Sequence, residues 1–137
     1  MKGGVSARMA RVLIVDDSSA VRAYHAGILR GQGHQVDVAD NGFEGLEKFC
    51  AAGYDLVLVD VNMPRMHGYD LIREIRKCPG GRDVGVVVIS TEAGHEDKVE
   101  AYRAGADLYL VKPVDPEELE GVCAMFGRRN EQAAGEK

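Results

Sequence analysis

Five short stretches of the chain are dense in Val, Ile and Leu and recur at intervals of about 20 to 30 residues. They are residues 11–16 (RVLIVD), 35–39 (QVDVA), 55–60 (DLVLVD), 84–90 (VGVVVIS) and 107–112 (DLYLVK). Four are nearly unbroken apolar runs, the pattern of strands covered on both faces of a parallel sheet. The second alternates, Val36 and Val38 against Gln35 and Asp37, which suits an edge strand.

The segments between them carry helical start and stop chemistry. Asp17 or Ser18 opens the first, with Val21, Tyr24 and Ile28 as its inner face. Asn41 caps the second with Glu44 as its capping-box partner, and Phe43, Leu46 and Cys50 follow at helical spacing. Leu71, Ile72 and Ile75 mark the third. The fourth, over residues 92–104, offers little beyond Val99, Tyr102 and alanines, and Gly94 falls in its first turn. Since helices are held mainly by an apolar face, this one is expected to be the least firmly seated, ending in a left-handed cap at Gly105. The fifth has the strongest start: Asp115 as cap, Pro116 at the first helical position and Glu118 at the third. Leu119, Val122, Cys123 and Phe126 then share a face before Gly127 stops it.

Strand and helix alternating five times predict a doubly wound, five-stranded parallel sheet with five helices, a single α/β domain. Residues 1–9 read as a flexible extension, 10–127 as the domain and 128–137 as a disordered polar tail, with no output domain expected. A chain of 137 residues is the size of one domain and long enough to bury a core without staples.

Composition narrows the function classes. The net charge is −5 and no Lys/Arg cluster exceeds two consecutive residues, which argues against direct nucleic-acid binding. The longest apolar runs fall far short of a membrane span, and the start lacks the apolar core of a secretory signal, so a cytoplasmic protein is expected. Cys50, Cys78 and Cys123 are widely spaced with no CxxC pair. They read as reduced core or near-surface thiols, without disulfide or zinc roles. His25, His34, His67 and His95 lack metal-ligand spacing and read as surface residues.

In open α/β sheets ligands sit beyond the carboxyl ends of the strands. Those ends bring Asp16 and Asp17, Asp60, Ser90 and Thr91, and Lys112 and Pro113 to one rim. Three carboxylates in a small site repel one another, and a hard divalent ion with oxygen ligands relieves the repulsion. Mg²⁺ is the natural candidate, with Mn²⁺ the alternative, because Mg²⁺ keeps several waters and needs only one or two carboxylates beside a phosphate oxygen.

The motifs VLIVDDS, LVLVDVNMPRMHG, VVVIS and YLVKP, in this order and spacing, resemble the receiver domain of two-component response regulators over residues 10–127. The resemblance implies a flavodoxin-like, CheY-like fold and a signalling switch rather than an enzyme, one that catalyses its own phosphorylation and slow-to-moderate autodephosphorylation. It makes Asp60 the phosphoacceptor and places Mg²⁺ on Asp16, Asp17, an Asp60 oxygen and the Asn62 carbonyl. Lys112 neutralises the transferring group, Ser90 hydrogen-bonds the bound phosphoryl group, and the rotamer of Tyr109 follows that movement. The Lys112–Pro113 bond is expected cis. Asn62 and Glu92 occupy the positions that tune phosphoryl lifetime, a pair shared with chemotaxis regulators resembling CheY. Thr91 is larger than the residue often found there and is expected to crowd the phosphoryl group.

Implied partners are a histidine kinase or histidine phosphotransfer protein, docking on the first helix near Arg22 and Tyr24, and a downstream protein. That protein would read the surface of the fourth helix, fifth strand and fifth helix. A monomer is expected, with chemotaxis or motility as the setting. A phosphorelay intermediate, a phosphate sink and a phosphorylation-silent interaction module are the alternatives. A haloacid-dehalogenase-type phosphatase needs a second acid two residues after its nucleophile, and Asn62 stands there. A nucleotide-binding module fails because no GxxxxGK[ST] occurs and Gly31-Gln32-Gly33 precedes a strand instead of following one.

Overall fold

The computed structural model describes residues 9–127; residues 1–8 of the expected extension and the expected tail, 128–137, lie outside the described residues. The strands are β1 (Arg11–Val15), β2 (Gln35–Ala39), β3 (Leu56–Asp60), β4 (Gly85–Ser90) and β5 (Leu108–Val111). The helices are α1 (Ser19–Gly31), α2 (Gly42–Ala51), α3 (Gly68–Lys77), α4 (His95–Ala104) and α5 (Pro116–Phe126). All strand pairings are parallel and the sheet order is β2-β1-β3-β4-β5, so helices cover both faces. Among the described residues, no helix is long and apolar enough to cross a membrane.

Two apolar layers flank the sheet. On one side Val12, Ile14, Leu56 and Leu58 pack with Leu29 of α1 and Leu119, Val122 and Cys123 of α5. On the other, Leu13, Val15, Val57 and Val59 meet Phe49 of α2, Leu71, Ile72 and Ile75 of α3, and Ala101 and Ala104 of α4. β3 and β4 are buried along their whole length, as their unbroken apolar runs require. β5 is different. Its run suggested an interior strand, yet it is the second edge, with only Tyr109 buried. A four-residue apolar run cannot tell a central strand from an edge strand whose side chains are half covered by helices.

Capping follows the sequence closely at α5, where Asp115 accepts from the Glu118 N–H at 2.9 Å and Glu118 accepts from the Asp115 N–H at 3.2 Å. At α2 the Asn41 side chain accepts from the Glu44 N–H at 2.9 Å, but Glu44 reaches past the cap to the Asp40 N–H at 2.8 Å. Ser18, rather than Asp17, caps α1. α4 begins at His95 behind Gly94, which has no side chain to cap with, and buries only Ala101 and Ala104. Two alanine methyl groups stand against three branched side chains in α3, at about 0.8 kcal/mol per buried carbon. Gly105 closes α4 with φ of +121°, the left-handed backbone expected of it.

The inner faces of two helices differ from the expected ones. α1 turns His25, Ala26 and Leu29 inward and leaves Tyr24 half exposed, so Tyr24 is not an inner-face residue. The histidine ring takes a core position that an apolar reading passes over. In α2 the buried residues are Gly42, Gly45 and Phe49, while Phe43 and Cys50 are exposed. Gly45 lies so close to the sheet that a Cβ there would stand 2.8 Å from Val15 Cγ2. The helix therefore seats on glycine, a contact invisible to a count of apolar side chains.

Two of the four histidines are not on the surface: His25 and His34 are buried. His34 Nδ1 accepts the Ala10 N–H at 3.0 Å, and burial holds its pKa below the usual value against the opposing pull of Glu120. The fold thus prefers the neutral ring. Its contribution to stability is full above the usual histidine value of 6.5 and is lost as pH falls towards the lower folded value. In urea unfolding between pH 7.5 and 5.5, the wild type is expected to lose more stability than His34→Asn, whose amide oxygen can still accept from Ala10. The extra loss is bounded by about 1.4 kcal/mol per pH unit. Parallel pH profiles would show that His34 does not titrate with folding.

Candidate functional site

The chemistry-bearing residues meet in the crevice where β1 leads to β2 on one side and lies against β3 on the other. Asp16 follows β1 and Asp60 ends β3, both buried; Asp17 is exposed at the mouth. One carboxylate oxygen from each of the three lies within 4.8 Å of the others. Lys112, following β5, places its amine 3.3 Å from Asp16 Oδ2 and 3.3 Å from Asp60 Oδ1.

The surroundings fix these groups. Asp16 Oδ1 accepts the Ser18 N–H at 2.9 Å, so the residue that caps α1 also orients the acidic site. Arg22 of α1 donates to the Asp16 carbonyl at 2.8 Å. The Lys112 N–H bonds the Ser90 carbonyl at 2.8 Å, and the following Lys112–Pro113 peptide is cis, as expected.

Burial first, and the charge of Asp16 second, push the Asp60 carboxyl up from 3.8 to about 6, with Lys112 pulling the other way. A buried carboxylate held beside another acid and a lysine is costly as an anion unless a further positive charge arrives. Two buried oxygens and one exposed oxygen suit a hard ion that keeps waters on its open side, so the donor set fits Mg²⁺ or Mn²⁺.

Next to this cluster Ser90 is almost wholly buried at the end of β4, and its Oγ accepts the Glu92 N–H at 3.0 Å. Tyr109, buried on β5, donates its hydroxyl to the Glu92 carbonyl at 2.8 Å. The backbone of Glu92 therefore ties Ser90 to Tyr109. Tyr69 of α3 donates to the Asp97 carbonyl at 2.9 Å, tethering the first turn of α4. Burial first, then Tyr109 and Asp97, lift the Tyr69 phenol to about 12, so it remains a donor.

Asn62, Thr91, the Glu92 side chain and Pro113 all lie exposed around the rim. Tyr24, expected near the site with Arg22, is exposed on α1 beside the His25 ring.

Three residues of this arrangement, and one hydrogen bond, escaped the sequence reading. Gly68 opens α3 so near the end of β3 that a Cβ would stand 2.5 Å from the Asp60 carbonyl oxygen. A glycine directly before an apolar helical face is the signal that could have found it. Tyr69, His25 and the bond from Arg22 to the Asp16 carbonyl had no comparable signal, because each depends on tertiary neighbours.

Residues 12–123 match the family described as the response regulator receiver domain. The chain is 40% identical over 107 residues to the gliding motility regulatory protein of Myxococcus xanthus, covering 78% of this chain but 14% of that one. Protein PilH of Pseudomonas aeruginosa is 39% identical over 111 residues, 81% of this chain and 92% of that one. Among solved structures, the chemotaxis protein CheY4 of Vibrio cholerae superposes with a TM-score of 0.82 at 35% identity, over 86% of this chain and 98% of that one. The receiver domain of the sensor histidine kinase PA1611 from Pseudomonas aeruginosa, with a magnesium ion coordinated in its active-site cleft, gives 0.80 at 27% identity, over 85% and 96%.

Proposed function

The chain belongs to the response regulator receiver domain family, and from that premise we propose that Asp60 accepts a phosphoryl group from a histidine kinase, a histidine phosphotransfer protein or a small acyl phosphate. An Asp60 carboxylate oxygen attacks phosphorus, the bond to the donor nitrogen or oxygen breaks, and an acyl phosphate forms on the protein. The observation that carries the reading is the Lys112 amine, 3.3 Å from Asp60 and 3.3 Å from Asp16 across the crevice. That amine meets the negative charge where it arrives, and such neutralisation supplies most of the catalysis of phosphoryl transfer. Asp16, Asp17, Asp60 and the Asn62 carbonyl are the residues that would hold Mg²⁺ or Mn²⁺, and the chemistry such an ion supplies is further charge neutralisation on the phosphoryl oxygens.

The output follows from the tie at Glu92. A phosphoryl group on Asp60 accepts a hydrogen bond from the Ser90 hydroxyl and draws that side chain from the position where its Oγ accepts the Glu92 N–H. Moving Ser90 shifts the backbone that Tyr109 holds, and the loop leads into α4, whose buried face is two alanines. The surface of α4, β5 and α5 then changes and a downstream protein reads it. Glu92, Thr91 and Asn62 at the rim set how readily donor and water approach. The names of the Myxococcus and Vibrio relatives support motility or chemotaxis as the setting.

The test is incubation with acetyl phosphate, with and without Mg²⁺, scored by intact mass. The wild type is expected to gain one phosphoryl group only with the metal, and Asp60→Asn none. A wild type that stays unmodified with both acetyl phosphate and a phosphorylated histidine-kinase donor would favour a phosphorylation-silent interaction module.

A further inference from the structure

With only Ala101 and Ala104 buried, α4 gains little positional hold from apolar packing. Polar side chains of α3 grip it instead, one at each end. At its start the Tyr69 hydroxyl donates to the Asp97 carbonyl at 2.9 Å. At its close Arg76 donates to the Gly105 carbonyl, from Nε at 3.0 Å and from Nη2 at 2.5 Å.

The two grips are unequal. Arg76 is itself fixed to the frame: Nη1 donates to the carbonyls of Gly81 at 2.7 Å and Val84 at 2.8 Å, and Nη2 to Asp107 at 3.1 Å. Asp107 in turn accepts the Val86 N–H of β4 at 2.9 Å. The bonds from Arg76 to Gly105 carry a full charge, and charge-assisted hydrogen bonds are roughly twice as strong as neutral ones. The Tyr69 bond is single and neutral. Residues 91–96, which lead to it, are all exposed, and Gly94 gives α4 no side-chain cap.

We infer that α4 is a lever resting on α3, latched by the Tyr69–Asp97 bond and pivoting on the Arg76–Gly105 bonds. The latch is closed in the unphosphorylated protein and opens when a phosphoryl group arrives, while the pivot stays made. The opening rests on the reading of Asp60 as phosphoacceptor, since the pull on α4 begins at Ser90.

That pull has a short path to the latch. Ser90 Oγ accepts the Glu92 N–H at 3.0 Å, so a Ser90 drawn towards the phosphoryl group moves the backbone at Glu92. Ala93, Gly94, His95 and Glu96 are all that separate Glu92 from Asp97. From Asp97 to Gly105 the helix runs about 12 Å, at roughly 1.5 Å per residue. A tilt of about 5° at Gly105 therefore carries the Asp97 carbonyl about 1 Å, enough to take a 2.9 Å bond beyond hydrogen-bonding distance. The same tilt hardly moves Gly105, where a φ of +121° already turns the chain out of the helix.

The experiment titrates beryllofluoride, a phosphoryl mimic, into the protein in excess Mg²⁺ by calorimetry, comparing wild type with Tyr69→Phe. The variant keeps the ring and loses only the latch, and circular dichroism checks that it is folded. Binding that must break the latch is expected to tighten about fivefold in the variant, the worth of one neutral hydrogen bond. A hydroxyl that merely supports the fold would not tighten binding when removed. Amide exchange read by mass spectrometry is expected to rise across residues 95–100 of the wild type when the mimic binds, and to stay level across residues 103–107. Equal or weaker binding by Tyr69→Phe would overturn the latch, and a rise as large at 103–107 would overturn the pivot. A wild type that takes no beryllofluoride would overturn the phosphoacceptor reading, and the lever with it.

Discussion

Asp60→Asn is expected to make the metal-free protein harder to unfold at pH 7, even while it abolishes phosphoryl uptake. The wild-type carboxyl is pushed from 3.8 to about 6 in the fold, so the folded state binds its proton more tightly than the unfolded state does. A raised folded value gives stability that is present at low pH and lost as pH rises through about 6. At pH 7 the wild type therefore carries the cost of a buried anion. A shift of about two units sets an upper bound of about 3 kcal/mol on that cost. Lys112 loses part of its partner in the variant, so a net gain of about 1–2 kcal/mol is the expected result. Urea unfolding in a chelator from pH 7.5 to 5 should show the difference between the two proteins shrinking as pH falls. Both carry His25 and His34, so the opposing histidine contribution cancels in the difference. Adding Mg²⁺ should narrow the gap from the other side, by stabilising only a protein with the full carboxylate set. A difference that does not move with pH would mean that Asp60 does not titrate with folding.

Gly68→Ala should be among the most damaging single-methyl changes to the site. The new Cβ would stand 2.5 Å from the Asp60 carbonyl oxygen, 2.9 Å from Val61 Cα and 3.1 Å from a Val59 methyl. The first two are backbone atoms, which cannot rotate away, and the Gly68 N–H also bonds the Val61 carbonyl at 2.9 Å. The start of α3 must lift or the end of β3 must move, at a cost of about 3 kcal/mol, the upper end for overpacking. Displacing β3 carries Asp60 with it, so Mg²⁺ affinity and phosphoryl uptake should fall together with stability. Gly27→Ala is the matched control. Nothing lies within 4 Å of its Cβ, and in mid-helix it should stabilise by up to about 1 kcal/mol. Equal urea midpoints for the two variants would show that the β3–α3 junction relaxes freely.

The strands and caps were legible because their causes are local. Apolar runs set the strands to within a residue, and Asp115-Pro116 with Glu118 set the start of α5. The members of the acidic site were also legible, since each follows a strand end and parallel topology sends all those ends to one rim. What could not be read depends on partners distant in the chain. His25 is buried because of where α1 meets the sheet, and α2 seats on Gly45 because Val15 is opposite it. The links from Glu92 to Ser90 and Tyr109 run through backbone atoms, which side-chain patterns do not report.

The bond from Lys112 to Asp16 spans 96 positions of sequence. β1 and β3 pair over a much shorter separation, so a folding chain can bring Asp16 and Asp60 together before β5 has docked. Until Lys112 arrives, that half-built structure holds two converging negative charges with no counterweight. Repulsion of this kind raises the barrier to an ordered β1–β3 nucleus, and cations in the medium lower it. Refolding should therefore be faster in millimolar Mg²⁺ than in sodium chloride of equal ionic strength, while unfolding in the same salts marks how much of the ion's grip is already present at the transition state.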